Sequence, residues 1–179
     1  MKTTLTLLAF MALFLVSCNS KPTLQKYFVE KAEAKDFIAL DIAPSFIKTE
    51  KLTLTPEEQT ALKSLHNLNV IAFKANGTNG LQYEKELANV KKLLKDDSYE
   101  ELIKFNHEGM GASVSTKGEG EHIEEFVVLA NQKTNGFGIV RVTGEDMTPS
   151  NVMTIVSLLQ KANLDLDQLK PLKAMVERK

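Results

Sequence analysis

The sequence has little that would advertise a chemistry. It contains one cysteine and no tryptophan in 179 residues. A single cysteine excludes a disulfide framework, an intramolecular bridge and any cysteine-based zinc site. No excess of one charge is present: 22 Lys and Arg face 23 Asp and Glu, for a formal net charge of −1. That balance excludes nucleic-acid binding through bulk charge, and no nucleic-acid partner is expected. No Gly-Lys-Ser/Thr phosphate loop, Gly-x-Ser-x-Gly elbow or Ser-x-x-Lys occurs. Linkers rich in Ser and Gly, low-complexity tracts and internal repeats are likewise missing. What remains is a composition of 43% hydrophobic and 25% charged residues, which is that of a globular chain and too apolar for disorder.

The N-terminus reads as an address. Lys2 supplies a positive start, and Leu5 to Val16 is an apolar run of 12 residues. That is too short for a bilayer core, which takes about 20 residues, but right for the apolar part of a secretory signal. The run ends in Leu15-Val16-Ser17-Cys18, which resembles the bacterial lipobox. The resemblance implies cleavage between Ser17 and Cys18, a diacylglyceryl group on the Cys18 thiol and fatty acylation of the new N-terminus. Residues 1–17 are then the signal, 18–23 the lipidated cysteine and a short polar tether, and 24–179 a single domain. Two or three acyl chains hold a protein on a membrane where one holds it only marginally. Asn19 stands where an Asp would mark inner-membrane retention, and no acidic export mark follows Cys18. The expected location is the cell envelope, lipid-anchored, at the outer membrane and facing the periplasm.

Hydrophobic periodicity divides the rest of the chain. Leu24 to Ala34 reads as a short amphipathic helix and Phe37 to Ile42 as a short strand. Thr55-Pro56-Glu57-Glu58 is a helix start, with Thr55 as cap, Pro56 at the first helical position and Glu58 closing a capping box. Leu68 to Phe73 is a strand, and Leu81 to Lys95 a helix with Lys85, Lys91, Lys92 and Lys95 on its solvated face. The period then changes to two. Tyr99 to Asn106, Ala112 to Lys117, His122 to Asn131 and Phe137 to Thr143 form four successive strands joined by tight turns. Thr148-Pro149 opens a helix with Val152, Ile155, Val156, Leu159 and Ala162 along one stripe, and a last helix is expected from Asp165 to Val176. Consecutive strands exclude regular βαβ alternation. The expected class is α+β: an antiparallel sheet built from a four-strand meander plus an earlier strand, with helices packed on one face.

Several of these stretches together resemble the family of Bacteroidetes envelope lipoproteins known as domain of unknown function 4252. The strands Phe37-Ile38-Ala39-Leu40-Asp41-Ile42 and Leu68-Asn69-Val70-Ile71 carry the resemblance. So do Phe126-Val127-Val128-Leu129 and Gly138-Ile139-Val140-Arg141-Val142-Thr143-Gly144-Glu145-Asp146. It implies an envelope location and a shared α+β domain. It transfers no activity and no site residue.

The residues that carry chemistry are sparse. His66, His107 and His122 make no short paired spacing of the kind zinc enzymes use. His66 falls at a helix end, where an imidazolium suits the dipole. His107, Glu108, Glu121 and His122 would form a metal or acid/base site only if adjacent strands brought them together; otherwise they are solvated hairpin residues. Glu121 and Glu125 share a strand face and Glu124 points the other way. Such carboxylates can act on a glycan, and they also serve as a charged sheet face that discourages aggregation. Ser113 and Ser115 lie in a strand with no nucleophile motif around them. The methionines beyond the signal read as core packing. No catalytic residue, metal or cofactor is expected.

Three functions fit. The first is a non-catalytic, lipid-anchored envelope module that binds a protein partner of unknown identity. The second is a small hydrolase or glycan-active enzyme using His and Glu residues at hairpin ends. The third is a carrier of an apolar ligand between helices and sheet, which needs a cavity of roughly 300 Å³ or more.

Overall fold

The computed structural model describes residues 21–46, 53–120 and 122–161. Ser17, Cys18, Glu121 and the expected helix Asp165–Val176 lie outside the described residues. Helix α1 spans Leu24–Lys31 and is capped by Thr23, whose hydroxyl accepts from the Lys26 amide. Strand β1 is Phe37–Ile42, with a 3-10 turn after it at Pro44–Phe46. Helix α2 is Pro56–Ser64, and its capping box is complete: Thr55 Oγ1 accepts from Glu58 N at 3.2 Å, and Glu58 Oε2 accepts from Thr55 N at 3.0 Å. Strand β2 is Leu65–Lys74 and helix α3 is Gly80–Leu93. Strands β3 (Glu100–His107), β4 (Met110–Glu119), β5 (His122–Gln132) and β6 (Gly136–Met147) form the meander. Helix α4 is Pro149–Lys161, opened by Thr148, whose Oγ1 accepts from Asn151 N at 3.1 Å.

All six strands join in one antiparallel sheet of order β1-β2-β6-β5-β4-β3. Two strands, β1 and β2, therefore precede the meander, and β6 returns to pair with β2. Turn chemistry sets the hairpins. The β3–β4 turn has positive φ at both Glu108 and Gly109, the geometry that suits a two-residue connection. Gly136 opens β6 at φ +117°, where a Cβ would lie 1.9 Å from the Phe73 carbonyl oxygen. Nothing but glycine fits there.

Against the expectation from sequence, the helices do not share one face. Alternate residues of β1, β2 and β6 face two separate cores. On the first face Ile71, Phe73, Phe137, Ile139, Val127 and Leu129 pack under α1 and α3, through Leu24, Tyr27, Tyr83, Leu87 and Val90. Phe73 and Phe137 stack there with ring centroids 5.5 Å apart. On the second face Ile42, Leu68, Val142 and Ile123 pack under α2 and α4, through Ala61, Val152 and Ile155. The reason is visible in β1, β2 and β6: apolar residues occupy neighbouring positions as well as alternate ones, which a strand tolerates only if both its faces are buried. Among the α4 side chains described, Val152, Ile155 and Leu158 are buried; the expected Val156, Leu159 and Ala162 lie outside them.

Candidate functional site

Helix α1 packs on the first face through Leu24 and Tyr27, so residues one to two positions along the helix form a flank. Gln25, Phe28, Val29, Glu30, Ala32 and Glu33 line that flank. Opposite them, the end of the sheet near Asp41 contributes polar residues, and the space between is a groove of about 800 Å³. Its floor is Ala39, Asp41, Asn67, Asn69, Arg141 and Thr143.

The floor is wired across the strands. Arg141 donates from Nη2 to Glu125 Oε2 at 2.7 Å and from Nη1 to Asn69 Oδ1 at 3.3 Å. Asn69 in turn donates to Asp41, and the Tyr99 hydroxyl donates to Glu125 Oε1 at 2.5 Å. The Arg141 and Glu125 side chains are 11% and 6% exposed. Both therefore sit largely out of water, where an ion pair stands only if its other polar atoms are matched. Most are, but Arg141 Nε is buried with no partner. Burial raises the Tyr99 phenol well above its ordinary range, and its bond to the Glu125 carboxylate raises it further. The groups that line the groove are thus committed to one another, which makes a rigid, shaped, hydrogen-bonding surface.

The residues singled out in sequence are not gathered here. His107 and His122 pair next to opposite ends of β4, with Met110 and Glu119 respectively. At the usual strand rise that is roughly 30 Å apart, far beyond hydrogen-bond reach. His66 is the second residue of β2, exposed, with Nε2 3.8 Å from Glu145. His107 lies 3.7 Å from Glu108, and His122 Nδ1 lies 3.0 Å from Asp146; all four are exposed. Among the described residues no group of three or more His, Cys, Asp and Glu could hold a metal. Glu125 is no surface carboxylate but the buried partner of Arg141. Glu124 is the extra residue of a bulge, since both neighbours of β5 shift register between Ile123 and Glu125. Ser115 is buried. Met147 is core, but Met110 and Met153 are exposed, so the methionines do not all pack inside.

Sequence reasoning missed Arg141, Asn69, Asp41 and Tyr99. The signal was there in part: a lone Arg in Ile139-Val140-Arg141-Val142 and a Glu directly at the head of the apolar Phe126–Ala130, in two strands that form one hairpin.

A family model matches residues 27–155, that of a domain of unknown function, DUF4252. The chain belongs to this family. No curated protein and no solved structure matches it. The DUF4252 span runs from Tyr27 in α1 to Ile155 in α4, so it takes in all six strands and all but the first turn of the wall beside the groove. Among the described residues no helix is long and apolar enough to cross a membrane.

Proposed function

We propose that this protein is a lipid-anchored module of the cell envelope that binds a partner in the groove beside α1, without catalysis. The observation that carries the reading is the groove itself, of a volume that ordinary ligand sites have, floored by polar side chains already hydrogen-bonded to each other. A floor of that kind orients a ligand, and its carboxylate, Asp41, is engaged by Asn69. The lipobox-like Leu15-Val16-Ser17-Cys18 supplies the anchor; Asn19 in place of an Asp supports the outer membrane, and the lack of an acidic cluster after Cys18 supports the periplasmic face. The tether between Cys18 and α1 is five residues, so whatever the groove binds is held near the membrane.

The test is a cross-linked pull-down of the full-length protein from its native envelope, beside Cys18→Ser and a Glu30→Gln/Glu33→Gln variant of the α1 flank. One protein recovered in near-stoichiometric amount, reduced by the flank variant and lost with Cys18→Ser, supports the reading. Recovery that ignores the flank variant removes the groove from it. An unmodified Cys18 in the mass of the native protein removes the anchor.

A further inference from the structure

The membrane would not meet this molecule at random. Lys21, the first described residue, acts electrostatically on Asp96, just beyond the C-terminal end of α3, and so does Lys117 of β4. Lys117 and Asp97 also line one small depression. The end of α3, the end of β4 and the tether therefore meet at one end of the molecule. Lys91, Lys92 and Lys95 stand exposed there on α3 and just after it. Their acidic neighbours are fewer. Asp96 is held below the ordinary carboxylate range chiefly by hydrogen bonds from Ser98, and Glu101 is held by Lys104 at 3.1 Å. That leaves Asp97, Glu100 and Glu119 uncommitted beside five lysines, in a chain whose overall charge is −1. Cys18 is three residues before Lys21, a covalent reach of about 10 Å. That is about one Debye length at physiological salt, so charges at this end act on the surface to which Cys18 is fixed.

We propose that Lys21, Lys91, Lys92, Lys95 and Lys117 form a docking surface for anionic phospholipid headgroups, which seats this end of the domain on the bilayer. The orientation rests on the lipid-anchor reading. It turns the α3 side of the first face to the membrane and leaves the groove, on the other flank of α1, open to the side. The groove carries Glu30, Glu33 and Asp41, which anionic lipid would repel. Charge thus separates the two surfaces, one for the membrane and one for the ligand.

The native full-length protein, reconstituted on vesicles of neutral phosphatidylcholine with and without phosphatidylglycerol, is labelled with an amine-reactive reagent and read by mass spectrometry. Flotation on neutral vesicles reports the anchor. Labelling of Lys91, Lys92 and Lys95 reports the docking, with Lys133 at the β5–β6 turn, the opposite end of the sheet, as the internal control. The expected result is a several-fold fall at the three lysines on phosphatidylglycerol alone, reversed at about 1 M salt, where screening leaves about 3 Å of reach. Lys133 should not change. A second expected result is that Lys91→Gln/Lys92→Gln/Lys95→Gln floats like the native protein but abolishes the phosphatidylglycerol-dependent protection of Lys21 and Lys117. Flotation with equal labelling on both lipids overturns the docking surface and leaves the anchor standing. Protection on phosphatidylglycerol without flotation on neutral vesicles overturns the anchor and leaves the docking surface standing.

Discussion

Strands β2 and β3 look alike on paper and differ in place. Each sets apolar residues two apart on one face, Ile71 and Phe73 in one and Ile103 and Phe105 in the other, although β2 adds Val70 and Ala72 on its second face where β3 has Lys104 and Asn106. Ile71 and Phe73 are 0% and 1% exposed, whereas Ile103 and Phe105 are 62% and 50% exposed. The next element along the chain makes the difference. β2 leads into α3, which folds back over it, while β3 turns directly into β4 and ends the sheet. At the β1–β2–β6 end, helices cover both faces and every apolar alternation is used. At the β3 edge the end of α3 reaches only the side of Glu101, Lys104 and Asn106, and no described helix covers the side of Ile103 and Phe105, which stays in water. An apolar pattern predicts a strand; it does not predict which strand gets a roof.

The largest way to test that contrast is at its boundary, where the Arg141–Glu125 pair closes the polar end of the first face. Arg141→Met leaves Glu125 buried with Tyr99 as its remaining partner, at a cost of about 3–5 kcal/mol in urea denaturation. Arg141→Met/Glu125→Met should recover most of the loss, because the uncompensated charge goes with its partner. A single variant as stable as the parent would show that solvent reaches Glu125 and that the pair belongs to the open half of the sheet.

Next in size is the direct comparison of the two strands. Ile71→Ala opens a cavity between α1, α3 and the sheet and should cost about 2–5 kcal/mol. Ile103→Ala, the same change on the edge, should stay within about 0.5 kcal/mol. Equal losses, measured by chemical denaturation, would mean that Ile103 is covered in solution and that the contrast is false.

The same physics decides how much of this was legible. The α2 start was plain, because Thr55, Pro56 and Glu58 act within one turn and need nothing distant. The four-strand meander was plain too, since Glu108-Gly109 and Asn135-Gly136 force their turns locally. The two helix layers were not. Neighbouring apolar residues such as Ile38-Ala39-Leu40 announce a strand buried on both sides, but which helices lie on which side is settled by chain crossings far apart in sequence. The groove was least legible. Asp41, Asn69, Arg141 and Glu125 come from four strands, and only the register that sets Asp41 against Asn69 and Asn69 against Arg141 makes them one row. Glu125 read as a surface charge because regular alternation set it on one strand face with Glu121; the bulge at Glu124 breaks that alternation and turns it inward.

Alkaline pH addresses the covered half alone. Burial raises the phenols of Tyr27 and Tyr99, with Glu86 and Glu125 respectively adding to the shift, and burial raises Tyr83 as well. An unfolded chain ionises its tyrosines near pH 10. The folded phenols stay protonated there, so unfolding releases protons, and stability that is complete below about pH 10 is lost as pH rises toward the folded values. Phenolate absorbance should therefore appear together with loss of helix by circular dichroism. Free titration near pH 10 in a folded chain would mean, for Tyr27, that α1 does not cover the sheet and, for Tyr99, that Glu125 is open to water.

The smallest effect concerns the roof on the second face. Helix α2 buries Ala61 against Leu65 and Leu68, but its first turn is exposed and held by the reciprocal Thr55–Glu58 bonds. Thr55→Ala removes the acceptor of the Glu58 amide, leaves the residue-55 amide on Glu58 Oε2, and should cost about 1 kcal/mol. Glu58→Ala should cost less and be non-additive with it, since the two side chains serve one box. If Thr55→Ala leaves the denaturation midpoint unchanged, the helix is held by packing on the sheet alone. The contrast between β2 and β3 would then rest wholly on which strand a helix happens to reach, with no contribution from how firmly that helix is started.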